Sequence, residues 1–563
     1  MNISSIVYKE IDSYKTSTWT VNGVPYSQYN TVDRISKYIN SQFIGCDDPN
    51  AFFWNISNSR RILFAKSIDM DTKDFQMFGI GKTNYFQSWV LNALFKNWAR
   101  NNGFTMTLDE TTEATASYGS SVWKKSKENN KTVLKECSLK NLYFCPVVKN
   151  IIDTPVVELH YLTEGQIRKK YPEQAKDILM AADKAKGDDQ KEVDSYEIWE
   201  RWGEYEEDDK FTYRHFIGAG KGEEEVIILD ETISTDSEGK PTDFPYYDFH
   251  LGRFEGRWLR IGVVERLFVL QERANTLVNQ NAIITELASL PLFITSDSET
   301  SGNVLMSAVP GQVVTSTDLR QMPINNLVFN QFIAELEKIE RQADELCFIN
   351  ESISGETPPS GVPFRSLAVS SNAAKSTFKY IKASIGEKMA MVLKKEIIPE
   401  FIKTFKKENI IDIKEVDADI RMFDDILLSA ERDKRNKEKI KAGVAYTLED
   451  DEALKKDIAE TVKREGRKIK LEPDFFNLEW GIEMNATGDV VDKNTMNASI
   501  DSAIQDMIAA PAVVNTPIYQ QKLENNGIPP FRLSVEEQMA IAGSTSSVPP
   551  AQTPDKLSQM INE

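Results

Sequence analysis

Cysteine and histidine are scarce in this chain, with four and three copies among 563 residues. Cys46, Cys137, Cys145 and Cys347 are scattered and none stands in a CxxC pair, so neither a disulfide framework nor a structural metal set is expected. His160, His215 and His250 leave few candidates for imidazole acid–base chemistry, and no Ser-His-Asp or Cys-His set can be assembled. No apolar run approaches the roughly 18 residues of a membrane span, so no membrane partner is expected. The opening MNISSIVYKEIDSYK lacks the basic and apolar regions of a signal peptide, and residence in the cytosol of its synthesis is expected. Positive charge is in the minority, 67 Lys and Arg against 86 Asp and Glu, a net −19. Such a chain is a poor candidate for gripping nucleic acid through a basic face. It is compatible with letting DNA pass, because every lysine–phosphate pair is a place to stick.

What is present is globular: 41% hydrophobic residues in a chain long enough for two to four structural regions. Residues 31–44 and 84–102 read as amphipathic helices; Phe86, Val90, Leu94 and Trp98 make one apolar stripe. Residues 114–148 read as short β-rich runs with a turn at ENN. Residues 154–179 read as a strand and then a helix capped by Thr163, with Glu164 and Gln166 in its first turn. Residues 193–231 read as a strand meander turning at EEDD and GAGKG. The first part is therefore α+β with a mostly antiparallel sheet.

After Pro245 the pattern becomes helical. Residues 261–290 form a long heptad-like helix rich in uncharged amides: Gln271, Asn275, Asn279, Gln280 and Asn281. A small β insertion (291–325) follows, then a second long helix (326–349). A third (371–401) carries Gly386 and Pro399 as candidate bends. The first helix has two basic and three acidic side chains, the second two and five. From Arg365 to Glu408, ten basic residues stand against four acidic ones, which reads as a solvated face or as a helix meeting DNA or an acidic neighbour. Between the second and third helices lies ESISGETPPSGVPFRS (351–366), a mobile loop or a plain linker. Its glycines and serines permit movement and its prolines limit collapse.

Three motifs resemble chemistry. GIGKT (79–83) holds the Gly-Lys-Thr of a phosphate loop, but Gln76 stands where the first glycine belongs, and no buried strand is expected before it. GAGKG (218–222) has Gly222 where Ser or Thr would hold magnesium, and reads as a hairpin turn. DMDTKD (Asp69, Asp71, Asp74) lacks the glycine and distal glutamate of a calcium loop and reads as a solvated acidic turn. No catalytic residue, cofactor or metal is assigned, and the chain is not expected to be an enzyme.

The order α+β region, long helix, β insertion, long helix, Gly/Pro/Ser loop, long helix and helical C-terminal region resembles the portal proteins of tailed bacteriophages. ASYGSSVWKK, LYFCPVV and VELHYLTEGQIRKKYP resemble the wing of short-tailed and crAss-like phage portals. GRFEGRWLRIGVVERLFVLQERANTLVNQNAII resembles their passage from wing to stem. INESISGETPPSGVPFRSLAVSSNAAKS resembles the end of the stem, the tunnel loop and the next helix, and LENNGIPPFRLSVEEQMA resembles C-terminal segments found there.

The resemblance implies these regions: a wing (1–260), stem helix 1 (261–290), clip (291–325), stem helix 2 (326–350), tunnel loop (351–370), long wing helix (371–408), remaining wing and crown (409–542) and a disordered tail (543–563). It implies a virion protein made in the host cytoplasm: a homo-oligomer of twelve subunits at one capsid vertex. Double-stranded DNA passes through its axis without sequence specificity, during packaging and ejection. The implied partners are the major capsid protein, the terminase large subunit, and then neck, adaptor or ring proteins. The implied tunnel-loop residues are Glu351, Ser354, Gly355, Glu356, Pro358, Pro359, Gly361 and Arg365. The implied channel lining is Gln271, Asn275, Asn279, Glu335, Lys338 and Arg341, and twelve copies of the stem would make an acidic tube. Asp297, Glu299 and Asn303 of the clip would dock the motor. Two alternatives stay open: a neck or tail structural component, and a nucleic-acid packaging ATPase supported by GIGKT alone.

Overall fold

A computed structural model describes residues 2–44, 51–79, 85–128, 131–186, 194–207, 210–237, 239–289, 293–294, 320–321, 327–349 and 364–400, with short stretches at 410–412, 452–458, 468–470 and 480–484 and a few single positions. The chain divides into two compact units, Met1–Ala486 and Thr487–Glu563, and every named element lies in the first. That boundary differs from the expected ones at 409 and 543.

The first unit begins with α1 (Ile3–Thr16) and a hairpin of β1 (Trp19–Val21) and β2 (Val24–Tyr26). Its two-residue turn, Asn22–Gly23, has positive φ at both positions (50° and 83°), the conformation that matches strand twist. Then come α2 (Gln28–Ile39), α3 (Ile56–Ile68), β3 (Phe75–Gly79), α4 (Tyr85–Asn101) and α5 (Phe104–Tyr118). Strand β3, with Phe75 and Met77 buried, corrects the expectation that no buried strand precedes GIGKT. Gln76, where a phosphate loop would have its first glycine, lies inside that strand, and only residues 80–84 separate the strand from α4.

Helix α5 corrects the β-rich reading of 114–118. Its threonines are poor helix formers, because β-branching restricts χ1. Here the hydroxyls of Thr107, Thr111 and Thr115 are buried and bonded. Thr107 Oγ1 donates to Leu134 O (3.0 Å), Thr115 Oγ1 lies 2.9 Å from Ser121 Oγ, and Thr111 Oγ1 accepts from Trp123 Nε1 at 2.6 Å.

The sheets follow as expected, all antiparallel. β4 (Ser120–Glu128), β5 (Lys131–Glu136) and a later β11 (Tyr246–His250) form one, in the order β11-β4-β5. β6 (Leu142–Phe144), β7 (Val156–Leu162), β8 (Tyr196–Glu207), β9 (Lys210–Ala219) and β10 (Val226–Ile233) form the other, in the order β10-β9-β8-β7-β6. The helix expected after β7 is two, α6 (Glu164–Lys170) and α7 (Ala175–Ala185), separated at Tyr171–Gln174, where Pro172 lacks an N–H. Thr163 caps α6 as expected, and Gln166 reaches back to it to make the cap reciprocal.

The long helices are α8 (Val263–Arg266) running into α9 (Phe268–Ser289), then α10 (Leu327–Leu346) and α11 (Phe364–Glu396). Between α9 and α10, β12 (Phe293–Ile294) pairs with β13 (Arg320–Gln321). Helix α11 starts at Phe364, so the expected tunnel loop 351–370 overshoots by seven residues. Arg365 belongs to the first turn of a helix, not to a loop. Further on, β14 (Ile410–Asp412) pairs with β15 (Lys468–Lys470), and β16 (Trp480–Met484) pairs with β3. A segment expected in the remaining wing and crown is thus built onto residues 75–79.

The largest core joins α3, α4, α5 and β3 to the lower turns of α9, α10 and α11, through Phe64, Phe95, Leu267, Leu277, Ile339, Phe378 and Leu393. A second lies where the two main sheets meet, around Trp202, Tyr246 and Trp258. The passage into α8 is tight. A Cβ on Gly119 would lie 2.5 Å from the carbonyl of Arg260, and one on Gly262 would lie 2.4 Å from that of Ser117. Only glycine lets these two backbones touch, and Gly119 also has φ +76°.

Candidate functional site

The helix pair expected to line a channel is footed on the α+β body by an amide ladder. Gln271 Oε1 accepts from the Ser57 N–H (3.0 Å) and hydroxyl (2.9 Å), while its Nε2 donates to Trp54 O (2.6 Å) and Asn275 Oδ1 (3.0 Å). Asn275 Oδ1 accepts from the Trp54 N–H at 2.9 Å. Asn279 both accepts from the Phe52 N–H (2.8 Å) and donates to its carbonyl (2.9 Å). Spaced four apart on one helix face, the three amides bind the irregular chain 52–55 and the first turn of α3, as a neighbouring strand would bind a backbone. Gln271 and Asn275 are buried and Asn279 half-buried and engaged, so the assignment of these three to a channel wall is corrected.

The charges differ from expectation too. Glu265 is bound by Arg257 (2.7 and 2.9 Å), Asp344 by Arg60 (2.9 and 3.1 Å), and Glu272 by Arg34 and Tyr38. Glu340 accepts from Trp54 Nε1 at 3.2 Å, and Glu335 pairs with Arg273 across the two helices. The helices' combined charge of −4 meets three arginines brought by the body, which leaves about −1 at their feet rather than a strongly acidic wall. Lys338 and Arg341 are exposed.

Along the same helices, large apolar side chains face solvent: Val269 is 76% exposed, Ile283 57% and Ile333 57%. Helix α11, by contrast, is clamped. Lys382 Nζ lies 2.9 Å from the buried carboxylate of Asp74, Glu396 accepts from Lys125 (3.0 Å) and Tyr247, and Glu400 accepts from the Thr132 N–H at 2.9 Å. DMDTKD is therefore not simply a solvated turn: Asp74 anchors a helix, and Asp71 and Asp74 cap each other's backbone. Burial and the neighbouring Asp109 raise the pKa of Asp69.

One cluster was not foreseen. Glu158 and Glu200 are directly opposed on β7 and β8, an arrangement that repels. Lys124 of the adjoining sheet reaches both carboxylates at 2.6 Å. Glu200 also contacts His160 (2.9 Å) and His215 (3.1 Å) and accepts from Trp202 Nε1 (2.8 Å), and Tyr246 donates to Glu158 (2.8 Å). Burial alone would raise the pKa of Glu200; the Lys124 charge and the two histidine contacts overrule it and hold the carboxyl well below the usual range. Glu158, His160 and Glu200 have a metal-like spacing, with ligand atoms within 4.8 Å of one another. The lysine ammonium already supplies the positive charge there, so the donor set fits an internal ion network better than a metal centre. The sequence signal was slight: Glu158 and His160, two apart, must share a strand face, but nothing marked that face as inward.

Glu351, Ser354, Gly355, Glu356, Pro358, Pro359 and Gly361, expected in a tunnel loop, Asp297, Glu299 and Asn303, expected in a clip, and most of GIGKT lie outside the described residues. The three described cysteines, Cys137, Cys145 and Cys347, are free thiols. No described helix is long and apolar enough to cross a membrane. No protein-family model and no curated protein matches this chain.

Proposed function

We propose that this chain is a portal-type protein. Twelve copies close into a ring at one capsid vertex, DNA passes through the axis, and the terminase motor docks first, with neck proteins following. The observation that carries this reading is the helix–ribbon–helix of α9, β12–β13 and α10. It is rooted in the α+β core at one end and carries Val269, Ile283 and Ile333 to solvent along its length. Apolar side chains of this size, repeated along two packed helices, mark a surface that a partner covers. A ring of identical subunits covers it on every copy and leaves no open end. A helix pair with little net charge at its foot suits a passage that must not hold DNA.

In this reading Asp297, Glu299 and Asn303 belong to the motor-docking end, and residues 351–363 touch passing DNA transiently. Lys338 and Arg341 remain as channel-wall candidates. The test is the purified full chain in mass photometry and negative-stain microscopy, without nucleotide. Closed rings with a hole wide enough for duplex DNA are expected. A stable monomer at micromolar concentration would sink the proposal.

A further inference from the structure

The stretch GRFEGRWLRIGVVER (252–266) places four arginines in fifteen residues, and a DNA-conducting ring gives them no task. We propose that they form a phosphate-binding pocket. The pocket lies between the β1–β2 hairpin and the chain from Leu251 to Arg266, with a volume of about 380 Å³. Arg253, Arg257, Arg260 and Arg266 line it, and Glu255 and Glu265 supply the acids of its wall. Gly252 and Gly256, with φ of 72° and 80°, turn the chain twice, a conformation that other residues rarely adopt.

Arg257 is already committed, bidentate on Glu265 with its guanidinium over the Tyr26 ring at 4.5 Å. Arg260 is not. It is 7% exposed and makes no ion pair among the described residues. Its Nη1 is fixed on the carbonyls of Arg257 and Trp258, the latter at 2.7 Å, and its Nε makes no hydrogen bond. The Tyr26 hydroxyl in the same wall is also buried without a bond. Asp248 and Glu255 act on Arg260 only through space, without an ion pair, and its guanidinium lies over the Phe254 ring at 5.1 Å. A buried guanidinium so weakly compensated is costly, and an anion beside it removes that cost. Arg253 and Arg266 likewise make no ion pair among the described residues.

With Arg257 cancelled by Glu265, three arginines stand against Glu255, a surplus of two positive charges. A phosphate group carries about −1.5 to −2 at neutral pH, a closer match than a single carboxylate. Planar guanidinium forks suit its oxygens better than lysine would. The phosphate can come from a free phosphate or from the phosphodiester backbone of DNA, and the test separates the two.

Calorimetric titration of the full chain with inorganic phosphate, at constant ionic strength, should give saturable binding with Kd below about 1 mM. Arg253→Gln changes an exposed side chain, spares the core, and should weaken binding about tenfold. Arg260→Gln should abolish it, with circular dichroism as the folding check. Arg253-dependent binding of a short DNA duplex, with none of inorganic phosphate, would make the phosphodiester the ligand. Acetate should give no saturable signal. The proposal is overturned if neither phosphate form saturates, if acetate binds equally well, or if Arg253→Gln binds as tightly as the parent.

Discussion

Glu200 shows what a single buried carboxylate demands. It stands opposite Glu158, and Lys124, His160, His215 and Trp202 surround it. Lys124→Met would leave two opposed carboxylates facing one another in the interior, and a loss of about 3–5 kcal/mol is expected in urea unfolding. The pH dependence follows from the depressed pKa of Glu200. Its stabilisation is present above the ordinary glutamate range and is lost as pH falls through the lower folded value, so Glu200→Gln should flatten the acid limb of the stability curve. Glu136 works in the opposite sense. Burial first, then Glu110 and Glu158, push it up to about 8. The folded state therefore holds its proton, and stability declines as pH rises from the ordinary range through 8. Glu136→Gln should stabilise the protein by about 2 kcal/mol near pH 9 and have little effect near pH 4, as read from urea midpoints at the two values. These roles were not legible in the sequence, because they depend on two sheets meeting.

Elements were more legible, and the misses have causes. The strand meander, the Thr163 cap and the three long helices follow from period and punctuation, which are local. Helix α5 was hidden because its threonines favour strands until buried partners bind their hydroxyls. The start of α11 was hidden because Pro363 and the serines around it read as loop. The amides of α9 were visible but misread: their spacing of four marked one helix face, and sequence alone does not say whether that face meets water or backbone. Gln271→Leu should cost about 1–3 kcal/mol in equilibrium unfolding, since it strands the Ser57 N–H and the Trp54 carbonyl. On α11, Lys382→Met should cost about 3 kcal/mol through the buried Asp74, whereas Lys379→Met on the exposed face should change thermal stability by less than about 0.5 kcal/mol. Equal effects would mean that the clamp is not what places the helix.

At the scale of the molecule, the α+β class was legible from the order of patterns, while its division into units was not, because β16 returns over some four hundred residues to pair with β3. The ring proposal has its own variant. Val269→Glu with Ile333→Glu alters two exposed positions, so the monomer should melt as before while rings disappear from mass photometry. Rings that persist would place the subunit interface elsewhere. The contact between Gly119 and Gly262 bears on how such an object handles force. Side chains between two elements act as a soft gasket that can shift rotamer and absorb a displacement. Here the seat of the long helix is main chain against main chain, at the end of α5 and the beginning of β4. A push along α9 therefore meets a stiff bearing and is passed into the sheet as a whole, so that the helix and the α+β body respond as one lever.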